Sequence, residues 1–298
     1  MIGDRIAIIG LGLMGSSMAQ QLAADGLRLH GFDPDPARMS AFESKGGETA
    51  GSPAEAVAGC WAAVLSLPNS DVSKEVCLGE GGLSTSGISP LYVYDTTTGL
   101  PTDAIEIAMH LADVGVAYCD TTVSGNAEIA GRGELVVMVG GPLDSFRKGI
   151  PIFQAIGRSY HHVGEVGAGS RMKLLVNHAL TIHRMALAET LVVAELAGMD
   201  LDRSLEVLRD GLSYSKAMDV WGDRMIAADH DPPFARLRQT SKDAKLIVEH
   251  GHDLGAPVAL VEVVASVLDE GEKTGLAEMD NSSIIEVIRR RAGIGKIG

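Results

Sequence analysis

A β-branched run, Arg5 to Ile9, leads straight into Gly10-Leu11-Gly12-Leu13-Met14-Gly15, and the helix-periodic stretch SSMAQQLAADG follows, stopping at Gly26. Few folds accept a strand, a glycine turn and a helix in that order. Gly10 allows the tight turn, Gly12 lets a pyrophosphate approach the backbone, and Gly15 lets helix and strand pack closely. The start of the helix then offers N–H groups and a positive dipole end to phosphates. Leu27 to Phe32 reads as the second strand and ends in Asp33, eighteen residues after Gly15. A carboxylate there accepts hydrogen bonds from the adenosine ribose hydroxyls and repels a 2′-phosphate. Asp33 could instead cap the turn at Pro34-Asp35-Pro36. Ribose binding is the favoured reading, with NAD preferred over NADP, a preference that the nearby Arg38 tempers.

Further strand-like runs follow. Ala62 to Leu67 ends in Pro68-Asn69-Ser70, Leu91 to Tyr94 ends in Asp95-Thr96-Thr97-Thr98, and Val116 to Cys119 ends in Asp120. Each is preceded by a helix-like stretch, the pattern of a parallel sheet covered on both faces. Ligands of such sheets collect at the carboxyl ends of the strands. The small polar stretch Val123-Ser124-Gly125-Asn126-Ala127 comes next, then Gly131, Gly133 and the apolar run Glu134 to Val139. This reads as a loop plus hairpin. The Ser124 hydroxyl, the Asn126 side chain and nearby N–H groups could equally bind a carboxylate.

The longest apolar stretch, Gly164 to Gly198, opens with paired glycines and contains no proline. It reads as one long helix over 168–197, packed on most of its faces. Lys173, Asn177, Thr181 and Arg184 fall on it at spacings of four, four and three, and so share one stripe. Taken alone, that stripe reads as a water-facing edge with snorkelling side chains. Beyond Gly198 helix-like runs alternate with turn signals such as Asp231-Pro232-Pro233, and the second half reads as all-helical. Ser241 is a candidate cap for a helix carrying Lys242 and Asp243, which on their own read as a solvated surface pair. The arginines 289–291 suit a helix C-terminus, and the glycine-rich tail after them is assigned no function.

The 298 residues suit two domains, divided as 1–163 and 164–298. A formal net charge of −14 argues against nucleic acid or anionic membrane as a partner but leaves room for a small anion held by local charges. Cys60, Cys77 and Cys119 form no metal pattern and read as reduced core thiols of a cytoplasmic protein. The N-terminus enters a strand at once, so no signal peptide is expected, and no apolar run spans a membrane without a charge. No histidine has a carboxylate at ligand spacing, and no metal is expected.

The combined pattern resembles the β-hydroxyacid dehydrogenase family, the 3-hydroxyisobutyrate dehydrogenase-like enzymes, over nearly the whole chain. Ile8 to Gly15 matches the family's opening signature, Leu67-Pro68 its cofactor loop, and Asp95-Thr96-Thr97-Thr98 with Pro101 its D-x-[ST]-T-x-x-P segment. Asp120 to Gly125 is similar to its D-x-P-V-S-G substrate loop, Gly167-Ala168-Gly169 with Lys173 and Asn177 to its catalytic signature, and Lys242-Asp243 to a late Lys-Asp pair near the nicotinamide. The resemblance implies an N-terminal Rossmann domain, a linking helix and an all-α C-terminal domain like that of 6-phosphogluconate dehydrogenase. It implies Lys173 as general acid/base, Asn177 positioning the substrate, Ser124 and Gly125 at the substrate carboxylate, and Thr98 and Lys242 on the cofactor side. It also implies a small anionic hydroxyacid as substrate and a homodimer or homotetramer. Two departures fall in the substrate loop, Thr122 for the usual proline and Asn126 for a second glycine. Asn126 adds a donor and an acceptor, and the expected acid is therefore more polar than 3-hydroxyisobutyrate.

Overall fold

A computed structural model describes residues 3–294; residues 295–298 of the glycine-rich tail lie outside the described residues. In chain order the elements are β1 (Arg5–Ile9), α1 (Leu13–Ala24), β2 (Arg28–Phe32), α2 (Pro36–Glu43), β3 (Glu48–Thr49), α3 (Pro53–Ala56) and β4 (Ala62–Leu65). Then come α4 (Ser70–Leu78), β5 (Leu91–Asp95), α5 (Pro101–Ala112), β6 (Val116–Ser124), α6 (Ala127–Gly131), β7 (Leu135–Gly140), α7 (Leu143–Ile156) and β8 (Gly157–Gly164). The remainder is helical: α8 (Ala168–Leu196), α9 (Leu201–Asp210), α10 (Lys216–Ala227), α11 (Leu237–Asp253), α12 (Ala259–Gly271) and α13 (Ile284–Arg291).

The strands form one sheet in the order β3-β2-β1-β4-β5-β6-β7-β8. Parallel pairing holds from β3 to β6, after which β7 runs antiparallel to β6 and β8 parallel to β7. The parallel pairing expected from the βα units thus holds through β6, and the antiparallel step begins at the expected hairpin. The expected hairpin is present, but its link contains a short helix, α6, capped by the Asn126 side chain on the Ile129 N–H. The sequence reading also passed over β8, whose RSYHHV alternates without a continuous apolar run and is only partly buried.

Side-chain alternation explains the double cover. Ile6, Ile8, Ala62 and Val64 enter one core, and Ala7, Ile9, Ala63 and Leu65 enter another. Neighbouring residues of a strand point to opposite faces, so these two cores lie on the two sides of the sheet. The three cysteines are free and buried; burial pushes the Cys60 and Cys119 thiols up to about 11 and about 12.

Contacts divide the chain into two compact units, Met1–Lys173 and Leu174–Gly298. The division falls inside α8, ten residues later than the one read from the sequence, because the first turns of α8 are held by β6 and β7. The second unit has its own core, with Leu174, Leu191, Trp221, Leu237 and Val261 among its buried side chains. One expectation for α8 needs correction: Thr181 and Arg184 are buried rather than at a water-facing edge, and the helix's exposed stripe runs instead through Leu175, Val193 and Leu196. Ser241 is no cap either. α11 begins a turn earlier at Leu237, because Met279 and Ala277 carbonyls accept from the Leu237 and Arg238 N–H groups, and Ser241 is fully buried inside the helix. Among the described residues, no helix is long and apolar enough to cross a membrane.

Candidate active site

The glycine turn shows what each of its residues is for. Gly10 has φ +91°, and a Cβ there would strike the Ser66 carbonyl; a Cβ on Gly15 would strike the Gly10 carbonyl. These two glycines are therefore needed to bring α1 against β1 and β4. Gly12 differs: a Cβ there would meet only the Arg38 Nη1, at 3.9 Å. The space in front of Gly12 is open, at the first N–H groups of α1, where a dinucleotide's pyrophosphate would sit. Leu13, 59% exposed, and the half-buried Met14 border that opening. The residues fit a nicotinamide dinucleotide.

Asp33 stands at the end of β2, almost fully buried. Its Oδ2 accepts from the Leu11 N–H at 2.8 Å and from Arg38 Nη1 at 3.2 Å, and its Oδ1 from the Asp35 N–H at 2.9 Å. A carboxylate has about four acceptor directions, so roughly one is left for a ribose hydroxyl. The cap of α2 is Asp35, which accepts from Ala37 N–H. Asp33 instead ties the turn after β2 to the glycine turn after β1. At the ends of β4 and β5, the Leu67 N–H donates to Thr97 Oγ1 at 3.2 Å and Thr96 Oγ1 to the Leu65 carbonyl at 2.7 Å. Pro68 is exposed and Thr98 half-buried beside these bonds.

The third cluster joins the end of β6 to the start of α8. Asp120 accepts from Gly167 N–H at 2.9 Å and from Ser170 N–H at 2.7 Å. It thereby caps α8 from another element, at the positive end of the helix dipole. Burial outweighs these bonds and pushes the Asp120 carboxyl up to about 6. Thr122 is wholly buried and donates from Oγ1 to the Gly169 carbonyl at 2.8 Å. The residue that replaces the family's proline is thus turned toward α8. Gly169 lies so close to β6 that a Cβ would strike the Asp120 carbonyl, and Gly167 needs its φ of +91°. One turn further on, Lys173 Nζ donates to the Val123 carbonyl at 2.8 Å. Ser124 is the next residue, and Gly125 follows at φ +146°, where a Cβ would crowd Leu135 and Ile129. Lys173, Ser124 and Gly125 are thereby gathered at one strand end. The Asn126 oxygen is used in capping α6, which leaves the amide NH2 as the part of that side chain able to serve the loop.

In the second unit, Asn177 Nδ2 donates to Asp243 Oδ2 at 2.9 Å, and Lys242 Nζ lies 3.4 Å from Asp243 Oδ1. Asp243 is thus no solvated surface residue; its side chain is 14% exposed. The sequence reading missed this bond and the Asp120 cap. The Asp120 cap was legible only as the first letter of a motif, and the Asn177 bond links positions 66 residues apart that no local pattern relates.

A doubly covered sheet with an open glycine cradle at its first strand and a lysine at a strand end defines an oxidoreductase that uses a nicotinamide dinucleotide. Residues 5–164 match the family described as the NAD binding domain of 6-phosphogluconate dehydrogenase, and residues 167–288 that described as NAD-binding of NADP-dependent 3-hydroxyisobutyrate dehydrogenase. The chain belongs to the β-hydroxyacid dehydrogenase family, whose enzymes act on the CH–OH group of hydroxyacids. It is 29% identical over 295 residues to a 2-(hydroxymethyl)glutarate dehydrogenase of Eubacterium barkeri, covering 99% of this chain and 98% of that one. It is 27% identical over 291 residues to a 3-sulfolactaldehyde reductase of Escherichia coli, covering 97% of each. The structure of a 3-hydroxyisobutyrate dehydrogenase from Mycobacterium tuberculosis with L-serine is similar at a TM-score of 0.87 and 25% identity, over 97% of this chain and 100% of that one.

Proposed function

We propose that this protein catalyses the NAD-dependent oxidation of a small 3-hydroxy carboxylic acid to its semialdehyde or keto acid, and the reverse reduction, with Lys173 as general acid/base. The observation that carries this reading is the Lys173 Nζ bond to the Val123 carbonyl, one residue before the loop that takes the substrate carboxylate. Ser124 Oγ and the Gly125 N–H hold that carboxylate, and Asn177 orients the hydroxyl-bearing carbon. During oxidation the hydroxyl proton passes to the Lys173 amine as the C=O forms; in reduction the ammonium returns it. The Gly10–Gly15 turn, with Thr98 and Lys242, would hold a nicotinamide dinucleotide, which would supply the hydride acceptor or donor.

NAD is preferred over NADP in this reading because Asp33 stands where a 2′-phosphate would go. Arg38, the cation that could welcome such a phosphate, is already engaged by Asp33 and lies 3.4 Å from Asp35. The Asn126 NH2 group supports an acid more polar than 3-hydroxyisobutyrate, and the name of the Eubacterium barkeri relative, a dicarboxylate dehydrogenase, points the same way. The exposed Leu175, Val193 and Leu196 of α8 support a homodimer or homotetramer.

The test is a panel of 3-hydroxyisobutyrate, 3-hydroxypropionate, glycerate and 2-(hydroxymethyl)glutarate with NAD and with NADP, followed by nicotinamide absorbance. Faster turnover of 3-hydroxyisobutyrate than of every more polar acid would sink the substrate reading, and no reduction with any acid would sink the enzymatic one. Equal or better use of NADP would remove the role given to Asp33. In the same assay Lys173→Ala keeps NAD binding and loses at least ~10² in kcat, the usual scale of an acid–base group. Near-normal turnover by that variant would take Lys173 out of the mechanism.

A further inference from the structure

The stripe on α8 continues past Asn177 to Thr181 and Arg184, 4% and 3% exposed, and no motif accounts for either. The Arg184 guanidinium stacks over the Trp221 ring of α10, 4.1 Å from its centroid, while its Nε and Nη1 make no hydrogen bond. Burying a guanidinium is costly unless charges nearby offset it. Burial lowers the Arg184 pKa to about 10, against the opposing pull of Asp280 and then Asp243. On the same stripe, the Asn177 amide donates to the Asp243 carboxylate.

That carboxylate fixes Asn177 in a definite way. An ionised carboxylate only accepts, so the NH2 edge of the amide must face Asp243 Oδ2 and the carbonyl edge must face away. A neutral partner would allow the amide to flip. Asp243 Oδ1 makes no hydrogen bond and has Lys242 Nζ at 3.4 Å.

We propose that Asp243 is a positioning residue that sets the orientation in which Asn177 meets the substrate. This rests on the reading of Asn177 as the substrate-orienting residue. Asp243 touches neither the reacting carbon nor the cofactor in this scheme, and acts only through the Asn177 amide. Its loss therefore lowers turnover while the carboxylate grip at Ser124 keeps KM nearly unchanged.

A double-mutant cycle tests this, with NAD and 2-(hydroxymethyl)glutarate or whichever panel acid turns over fastest. Asp243→Ala lowers kcat by about 10- to 100-fold, the range of one charge-assisted hydrogen bond. In the Asn177→Ala background the same change costs less than about threefold, because the two residues act as a unit. Asp243→Asn, which keeps an acceptor but permits a flipped amide, recovers part of the loss. If the alanine variant does not fold, as judged by thermal unfolding, Asp243→Asn takes its place in the cycle. Equal losses in both backgrounds would overturn the proposal, as would a loss confined to NAD affinity, which would assign Asp243 to Lys242 instead. Full activity of Asn177→Ala by itself would remove the underlying reading of Asn177, an outcome separate from either.

Discussion

Gly12 and Gly15 sit three residues apart in one motif, yet their surroundings assign them opposite duties. Gly15 is a packing residue: a Cβ there meets the Gly10 carbonyl and lies 3.3 Å from the Ser66 Cβ, both part of the rigid strand ends. Gly12 faces open space and has an ordinary φ of −65°, which alanine also adopts. Gly15→Ala should therefore lower stability by about 1–3 kcal/mol, the usual cost of overpacking. Gly12→Ala should cost no more than about 1 kcal/mol, the scale of an N-cap change, while weakening NAD binding by at least about tenfold, equivalent to one lost phosphate contact. Thermal unfolding together with an NAD fluorescence titration reads both, and an NAD affinity of Gly12→Ala equal to wild type would show that the pyrophosphate does not lie there. The role of Gly15 was legible in the sequence because the contact that decides it, the Gly10 carbonyl, lies within the same motif. Thr122 was not, because the partner of its hydroxyl, the Gly169 carbonyl, is 47 residues away.

The start of α8 depends on one side chain from another element. Asp120 takes two N–H groups of the helix start, but in a site so enclosed that its carboxyl is pushed up to about 6 from the ordinary 3.8. The sign of the pH effect is opposite to that of a salt-bridged aspartate. Below about pH 4 Asp120 is protonated in both folded and unfolded chains, and its contribution is complete. As pH rises toward 6 the unfolded chain releases the proton first, so the folded state loses up to about 2–3 kcal/mol, two pKa units' worth. Above pH 6 the loss is complete and the difference is flat. Asp120→Asn has no such titration. The stability of wild type minus that of Asp120→Asn should therefore fall between pH 4 and 6 in urea unfolding, and a difference that rises over that window would contradict the burial effect. At this scale the sequence also shows its limits. The buried strands β1, β4 and β5 announce themselves as apolar runs, whereas β8 carries Arg158, His161 and His162 and has no such signature. Its pairing with β7 comes from the sheet, not from its own residues.

The whole molecule consists of two units with separate cores, and each unit holds one tryptophan, Trp61 in the first and Trp221 in the second. The α/β-then-α order was readable from the switch in periodicity after Gly164, where the two family matches also divide, while contacts divide the chain at Lys173. α8 is continuous in sequence and in hydrogen bonding, and only the packing of its first turns on β6 assigns them to the first unit. The glycine turn, Asp33, Leu67 and Thr98 all belong to that first unit, so most of the dinucleotide's linkage to stability should be felt there. Variants Trp221→Phe and Trp61→Phe leave one reporter each. At about 100 times its Kd, a nicotinamide dinucleotide adds roughly 2.7 kcal/mol to the unit that binds it. The midpoint seen by Trp61 should move by that amount, and the midpoint seen by Trp221 by less. Equal shifts at both tryptophans would mean that the two cores unfold as a single cooperative block, and that the division at Lys173 is one of contacts but not of stability.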